Sequence, residues 1–275
     1  MSMGDEGRRR CIFCGSLADD REHLLPRWLQ EILPSEEPVI HFREVGGREM
    51  EPWRKKPFRE KTKFVCKGCN QGWMSTLEGE TKPLLTPAIA RQRPCRFDLV
   101  EQWIIARWTV KTCYVMQMQA PGLLAPPMHP VLLNLNFKPP PQVSLWLGSH
   151  HRAIQDPINS AYVQKPLWLA AVDGNRKDPV EFGYMSFLAV GGISFLMVEH
   201  RLDSYVECVL GEEHPASDMF TKIWPRTRRI LTWPPHTMAD RELLDLIFDP
   251  DTLPLGFDAR PFGGRLHEAP FRDVY

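Results

Sequence analysis

The sequence lacks net charge, a leader-like apolar segment and internal repeats, and each absence narrows the class of protein. Its 275 residues include 34 Lys and Arg against 34 Asp and Glu, so no overall charge marks it as a strongly basic or acidic chain. The first residues, MSMGDEGRRR, contain no apolar run of the signal-peptide kind. We therefore expect a cytoplasmic protein without a membrane partner, long enough for two domains.

One uncharged apolar run could be mistaken for a membrane span. It covers residues 182 to 198, and its 17 residues only reach the lower limit for crossing a bilayer. Gly191 and Gly192 divide it into two halves rich in aromatic, branched and alternating residues, which is typical of strands. The run therefore predicts a β-hairpin.

Four of the seven cysteines form two Cys-x2-Cys pairs. Each pair, Cys11 with Cys14 and Cys66 with Cys69, presents two sulfurs on one tight turn, and zinc accepts four such ligands in a tetrahedron. We predict structural zinc here. The alternative, buried or redox-active pairs, needs a thioredoxin-like βαβ context that the flanks do not show. Three other cysteines stand among apolar neighbours and are expected to be reduced buried thiols: Cys95, Cys113 and Cys208.

Neutral overall charge hides an asymmetry. Residues 1 to 96 carry 18 Lys and Arg against 14 Asp and Glu, and the excess concentrates between positions 43 and 67. Such an excess suits contact with a polyanion, although it could also be a solvated strand pair and loop. The predicted contacts to nucleic acid are Arg21, Arg27, Arg54, Lys55, Lys56, Arg59, Lys61 and Lys63.

The first 96 residues predict short strands followed by a helix. Residues 39 to 45 and 49 to 53 read as strands around Gly46-Gly47, and 63 to 65 lead into the second cysteine pair. Asn70 is a favoured helix cap, and the helix after it should end at Pro83. Strand, cysteine turn, hairpin and a helix holding the last zinc ligands make a treble-clef arrangement.

The remaining chain predicts a second α+β unit. A long helix is expected from 97 to 119, with Arg107 and Lys111 on one face, where they would contact phosphate or, more commonly, form a solvated stripe. The proline-dense stretch from 120 to 142 should be an extended connection. Strands are then expected at 143 to 147, 167 to 172, both halves of the apolar run and 204 to 210, forming a mostly antiparallel sheet packed on the helix. A short helix is expected near 241 to 248.

These elements predict an α+β protein in three divisions. Residues 1–96 form the zinc module, 97–235 a larger α+β domain, and 236–275 a proline-rich tail.

Three residues near the cysteine pairs suit phosphodiester hydrolysis, which needs an activated water and charge stabilisation at the phosphate. His23 as a neutral imidazole would take the proton of the water. Glu22 and the amide oxygen of Asn70 would hold Mg²⁺ or Mn²⁺, hard ions that prefer oxygen ligands.

Together these residues resemble the His-Asn-His (HNH, or ββα-metal) endonucleases of the zinc-containing branch. The resemblance rests on Cys11-x2-Cys14, on Glu22-His23-Leu24-Leu25-Pro26 and on Cys66-x2-Cys69-Asn70. It implies that the four cysteines hold structural zinc, that His23 is the general base, and that Glu22 and Asn70 bind the catalytic ion. Glu22 stands where the family more often has Asp, and Trp73 where many members have His or Lys.

Two other hypotheses remain open. A treble-clef zinc module without catalysis could bind nucleic acid or a protein partner, in which case His23 would not be needed for function. Catalysis could instead lie in the second domain and use one of the loop histidines, which are His150, His151 and His214.

Overall fold

The fold combines five helices with antiparallel strand pairs in the described part of the chain, which confirms the predicted α+β class. The computed structural model describes residues 9–33, 39–45, 48–55, 59–90, 93–118, 126–149, 160–169, 180–201, 206–210, 218–226, 228–235 and 257–261. The helices are α1 (Leu29–Ile32), α2 (Lys67–Cys69), α3 (Ser75–Ile89), α4 (Leu99–Gln117) and α5 (Met128–Asn136). The strands before α4 are β1 (Asp20–His23), β2 (Val39–Val45), β3 (Arg48–Lys55), β4 (Lys61–Val65) and β5 (Cys95–Phe97). Those after it are β6 (Val143–Ser149), β7 (Ser160–Leu169), β8 (Val180–Val190), β9 (Ile193–His200), β10 (Val206–Leu210), β11 (Phe220–Trp224), β12 (Leu231–Trp233) and β13 (Phe257–Pro261).

Strands β1 and β4 form the ribbon that carries the predicted catalytic dipeptide. Glu22 lies opposite Thr62 and His23 opposite Lys61, and the register shifts between Asp20 and Glu22. Such an irregularity redirects side chains along a strand. Strands β2 and β3 pair separately, and the Gly46-Gly47 turn predicted between them lies outside the described residues.

The second cysteine pair opens the helical region. Cys66 has an extended backbone, and its Sγ accepts a hydrogen bond from the Cys69 N–H at 3.4 Å. The sulfur thus caps α2 as a side-chain oxygen does elsewhere. A wider π-helical segment, Asn70–Met74, follows and contains a kink at Gly72, where φ is −91° and ψ is −117°.

Helix α3 continues through two prolines, so the predicted helix end at Pro83 is wrong. Pro83 and Pro87 each remove one backbone hydrogen bond from the helix. Burial compensates for this loss, because Leu85 and Ile89 on the same helix are almost completely excluded from solvent.

Helix α4 begins at a capping box. The Asp98 carboxylate accepts hydrogen bonds from the N–H groups of Val100 and Glu101 at 2.8 and 2.9 Å, and the Glu101 carboxylate accepts one from the Asp98 N–H at 2.9 Å. Both reciprocal bonds satisfy donors that the first turn leaves unpaired. The helix lies within the range 97 to 119 predicted for it.

A five-stranded antiparallel sheet, in the order β11-β6-β9-β8-β7, follows the helices. The uncharged run forms β8 and β9, which confirms the predicted hairpin. Its turn needs glycine, because Gly191 has a φ of 58° and a Cβ there would lie 2.3 Å from the Ile89 carbonyl oxygen.

None of the helices in the described ranges has the length and apolar character needed to cross a bilayer.

Two shorter pairings cross the limits of the predicted domains. Strand β5 includes residue 96 and pairs with β12, while β13, within the predicted tail 236–275, pairs with β10. One cluster of buried residues extends from the cysteine pairs to the sheet. The division at 96/97 and 235/236 stays a prediction, although described strands connect its parts.

Helix α5 occupies part of the stretch that was expected to be an extended connection, so that prediction is wrong. Pro127 caps the helix and Pro130 lies in its first turn, where a missing N–H removes no intrahelical bond. Leu133 is completely buried and fixes the helix to the core. The helix ends at Phe137, whose φ is 50°. The helix predicted near 241 to 248 lies outside the described residues.

A buried polar cluster lies between α5 and the sheet. Glu199 of β9 is completely buried, and its carboxylate accepts a hydrogen bond from the Tyr184 hydroxyl and contacts Nδ1 of His129. A buried carboxylate left without such partners is strongly unfavourable.

We expect Glu199→Ala to lower the free energy of unfolding by about 3–5 kcal/mol, because it removes one partner from a buried polar cluster. Urea denaturation measures this change. Glu31→Ala is the control, since Glu31 forms an exposed ion pair with Lys82 that should contribute at most about 1 kcal/mol. Equal losses in the two variants would contradict the importance of the cluster.

Candidate metal centre and active site

The first cysteine pair lies on a tight turn fixed by backbone hydrogen bonds. The Cys11 N–H donates to the Ser16 carbonyl at 2.7 Å, and the Gly15 N–H donates to the Cys11 carbonyl at 2.9 Å. Gly15 has a φ of 74°, a conformation that favours glycine. The turn holds the Cys11 and Cys14 side chains close to each other.

The four predicted zinc ligands come together. The Sγ atoms of Cys11, Cys14, Cys66 and Cys69 all lie within 4.8 Å of one another, and those of Cys14 and Cys66 are 3.5 Å apart. Tetrahedral zinc with bonds of about 2.3 Å separates its sulfurs by about 3.8 Å. Sulfur donors at these separations fit zinc, so the cluster can hold such a metal.

Burial and hydrogen bonding decide how readily these thiols ionise. Burial raises the pKa of Cys11 and of Cys69. Burial opposes ionisation of Cys14 too, but hydrogen bonds with Ser16, Cys66 and Cys69 outweigh it and lower its pKa to about 7. Since thiolates are the form that binds metal, a cation would offset the cost of ionising the buried Cys11 and Cys69 thiols.

Neighbouring elements fix the first cysteine turn. The Ile12 N–H donates to the Phe64 carbonyl of β4 at 3.0 Å. Asn134 of α5 donates its Nδ2–H to the Phe13 carbonyl at 3.1 Å. The Phe13 ring meets Trp73 edge-on with centroids 5.2 Å apart. Trp73 therefore packs against the first cysteine turn.

His23 ends β1 and is half-buried. Burial, assisted by the positive charges of Lys61 and Arg27, lowers its pKa, and Glu78 acts in the opposite direction. The imidazole is therefore neutral at pH 7, which is the form able to accept a proton from water.

Glu22 is buried and contacts a lysine that the sequence did not associate with it. Its Oε1 lies 3.6 Å from Nζ of Lys111, a residue of α4 with only 1% of its side chain exposed. The same ammonium donates to Glu78 Oε1 of α3 at 2.9 Å. The expectation that Lys111 and Arg107 form a solvated stripe is wrong, because both side chains are buried.

The charges of Glu22, Glu78 and Lys111 affect the pKa of Glu22 and that of Lys111. Burial raises the pKa of Glu22, and Glu78 and Asp20 raise it further while Lys111 lowers it. Burial alone would lower the pKa of Lys111, but the carboxylates of Glu78 and Glu22 outweigh it and raise that pKa. The ammonium therefore stays charged between two acids.

Asn70, one of the two predicted ligands of the catalytic ion, contacts Asp20. Its Nδ2–H donates to Asp20 Oδ2 at 3.0 Å, while Glu22 contacts Lys111. Within the described residues, the four cysteines form the one group of three or more His, Cys, Asp or Glu donors close enough to hold a metal. Joint binding of Mg²⁺ or Mn²⁺ by Glu22 and Asn70 stays a prediction.

Several basic residues predicted to bind nucleic acid are exposed near His23. Those with described side chains are Arg21, Arg27, Arg59, Lys61 and Lys63, and all five are exposed. For Arg54 and Lys55 the structure describes only the backbone, in β3. Lys56 lies outside the described residues, as do the loop histidines of the third hypothesis, His150, His151 and His214.

Three site residues were missed by the sequence reasoning: Asp20, Glu78 and Lys111. Asp20 stands two positions before Glu22, so proximity could have suggested it. Glu78 follows Asn70 by eight positions on the same run of helix, and helical spacing was the available signal. No local signal connected Lys111 with the two acids, because these contacts depend on how α4 packs.

The chain matches no family model, no curated protein and no solved structure. The relationship to His-Asn-His endonucleases therefore stays a prediction.

We expect purified protein to contain one zinc ion per chain. The Cys66→Ser variant should lose that zinc, and its cysteine region should unfold, because metal binding contributes directly to folding. Elemental analysis and urea denaturation measure both effects. Cys95→Ser is the matched control, since Cys95 is also buried but lies outside the cluster. Zinc-free wild-type protein with all four thiols freely reactive would contradict the metal centre.

Proposed function

We propose that this protein is a metal-dependent endonuclease of the His-Asn-His type, with a treble-clef zinc module and His23 as general base. The observation that carries the proposal is the position of His23. A half-buried imidazole with a lowered pKa ends a strand whose partner strand leads directly into the cysteine cluster and the helix of Asn70.

The surroundings of His23 support proton transfer. A general base works best when its neutral form prevails at the working pH, and positioned bases contribute about 10²- to 10⁴-fold to the rate. Lys61 and Arg27 favour that neutral form. His23 would accept the proton of the attacking water at one of its ring nitrogens.

A divalent ion would be held by oxygen donors of β1 and of the helical segment that follows β4. Glu22 and Asn70 are the predicted ligands, and Asp20 joins them because its carboxylate contacts the Asn70 amide. Carboxylate and amide oxygens suit Mg²⁺ or Mn²⁺. Such an ion would stabilise negative charge on the phosphate and the leaving oxygen.

Exposed basic side chains support nucleic acid, with DNA as the preferred candidate, as the substrate. Arg21 of β1, Lys61 of β4 and Arg27, which follows β1, are exposed, and the charges of Lys61 and Arg27 act on His23. Lysine and arginine contacts to phosphates supply much of the affinity for nucleic acid and fix its position. These residues would place a phosphodiester near the base.

A second candidate is a zinc module that binds nucleic acid or protein without cleaving. The observation that favours it is the ion pair of Glu22 with Lys111, which already partly neutralises one of the predicted metal ligands. The two functions differ in whether His23 is required.

We expect His23→Ala to reduce cleavage of supercoiled plasmid in Mn²⁺ or Mg²⁺ by roughly 10²- to 10⁴-fold, with zinc content and plasmid binding close to wild type. Gel assays of nicking and fluorescence anisotropy of labelled duplex measure the two properties. The second candidate would be favoured if the wild-type protein bound DNA but cleaved none of four substrates: supercoiled, linear and single-stranded DNA, and RNA. Equal cleavage by both proteins would exclude His23 as the base.

The pH profile should report His23. Because the active form is neutral and its pKa is lowered, cleavage should be near maximal at pH 7 and decline only below the ordinary histidine value of about 6.5. Lys61→Met removes a positive charge, so the His23 pKa should rise and the acidic limb should move to higher pH.

Lys63→Met is the control, since Lys63 lies on the same strand and is also exposed. Cleavage rates between pH 5 and 8 measure the profiles of the three proteins. An acidic limb that moves equally in both variants would indicate a general loss of basic charge rather than an effect on His23.

A further inference from the structure

We propose that Lys111 is a positioning residue of the candidate site: helix α4 supplies its ammonium to hold the carboxylate of Glu22, the sequence neighbour of His23, and to connect it to Glu78. This inference rests on the proposed endonuclease function and adds a residue from outside the predicted zinc module. Lys111 does not contact the reacting phosphate in this proposal. It acts through the two carboxylates.

The contacts define a three-way junction. Glu22 comes from β1, Glu78 from α3 and Lys111 from α4, and Nζ of Lys111 lies 3.6 and 2.9 Å from the two carboxylates. The Lys111 side chain is 1% exposed, that of Glu22 7% and that of Glu78 23%. The ammonium thus lies on the buried side of the site, while Glu78 is partly exposed to solvent.

Stability alone does not account for a lysine at this position. Burying an ammonium costs several kcal/mol, and replacing a buried ion pair by apolar side chains is often neutral or stabilising. A buried charged group that touches a predicted site is better explained by what it does to that site. Here it fixes the carboxylate next to the general base in sequence.

Lys111 also limits how the carboxylates can bind metal. Two adjacent acids would attract a divalent ion between them, but the ammonium already occupies a position in contact with both. A fixed positive charge repels a second cation at this range. The divalent ion is therefore directed outward, toward Asp20 and Asn70, whose side chains contact each other.

The proposal predicts effects of opposite sign on metal binding and turnover. In Lys111→Met, the freed carboxylates should bind Mn²⁺ at least about tenfold more tightly, because a nearby positive charge is removed. The ion would then lie at the former ammonium position, and kcat should fall by about 10- to 100-fold with little change in KM. A lysine with a merely structural role would not tighten Mn²⁺ binding.

The test compares four forms of the full-length, zinc-loaded protein: wild type, Lys111→Met, Lys111→Arg and the control Lys82→Met. Lys82 forms an exposed pair with Glu31 on the neighbouring helix and should leave both properties unchanged. Titration calorimetry with Mn²⁺ alone measures binding, and plasmid nicking gives kcat and KM. Lys111→Arg keeps the charge, so it should keep wild-type Mn²⁺ affinity and recover part of kcat.

The outcomes separate this inference from the proposed function. A folded Lys111→Met with wild-type kcat and wild-type Mn²⁺ affinity would overturn the role of Lys111 and leave the endonuclease intact. If wild type cleaves nothing, the endonuclease fails, and an unchanged Mn²⁺ affinity in Lys111→Met would overturn the role of Lys111 as well. If Lys111→Met does not fold, Lys111→Arg tests the proposal instead. A wild-type kcat in Lys111→Arg would contradict a positioning role that depends on the geometry of the ammonium.

Discussion

The convergence of four cysteine sulfurs within 4.8 Å is the constraint on which the N-terminal site depends. Strands β1 and β4 are only four and five residues long, and an isolated two-stranded ribbon is marginally stable. Both cysteine turns lie at one end of this ribbon, because Cys14 precedes β1, Cys66 directly follows β4 and the two strands are antiparallel. A metal held by the four sulfurs would connect the strand of His23 to the helix of Asn70 and so keep the two residues at a constant separation.

A second constraint joins the cysteine region to the rest of the protein. The Lys111 ammonium meets carboxylates from β1 and α3, and Asn134 of α5 holds the backbone of the first cysteine turn. Helix α3 in turn accepts the hairpin turn of the large sheet at Ile89, where only glycine fits at position 191. The site is thus built on packed helices, and the continuous core makes its geometry depend on elements far along the chain.

The proposed chemistry follows from the unequal distribution of charge. Basic side chains on β1 and β4 face solvent, where they would meet phosphates, whereas Glu22 and its lysine are withdrawn from water. His23 lies between these environments, half-buried, with its pKa lowered by burial and by two neighbouring cations. The proposed endonuclease would use the exposed basic side chains to bind a polyanion and the half-buried imidazole to activate water.

The sequence by itself determined the four-cysteine cluster, the α+β class and the β8–β9 hairpin, because each rests on local spacing: two sulfurs per tight turn, or alternation around a glycine pair. Tertiary structure alone decided which side chain each of these acids contacts. Lys111 and Glu78 are 33 positions apart, and Asn70 and Asp20 are 50 apart, so no local pattern relates them. The same holds for α3, which local rules would end at Pro83, but whose buried face outweighs the two lost hydrogen bonds. Contacts between distant segments depend on how the core packs, and packing is the sum of many side-chain choices that no single motif encodes.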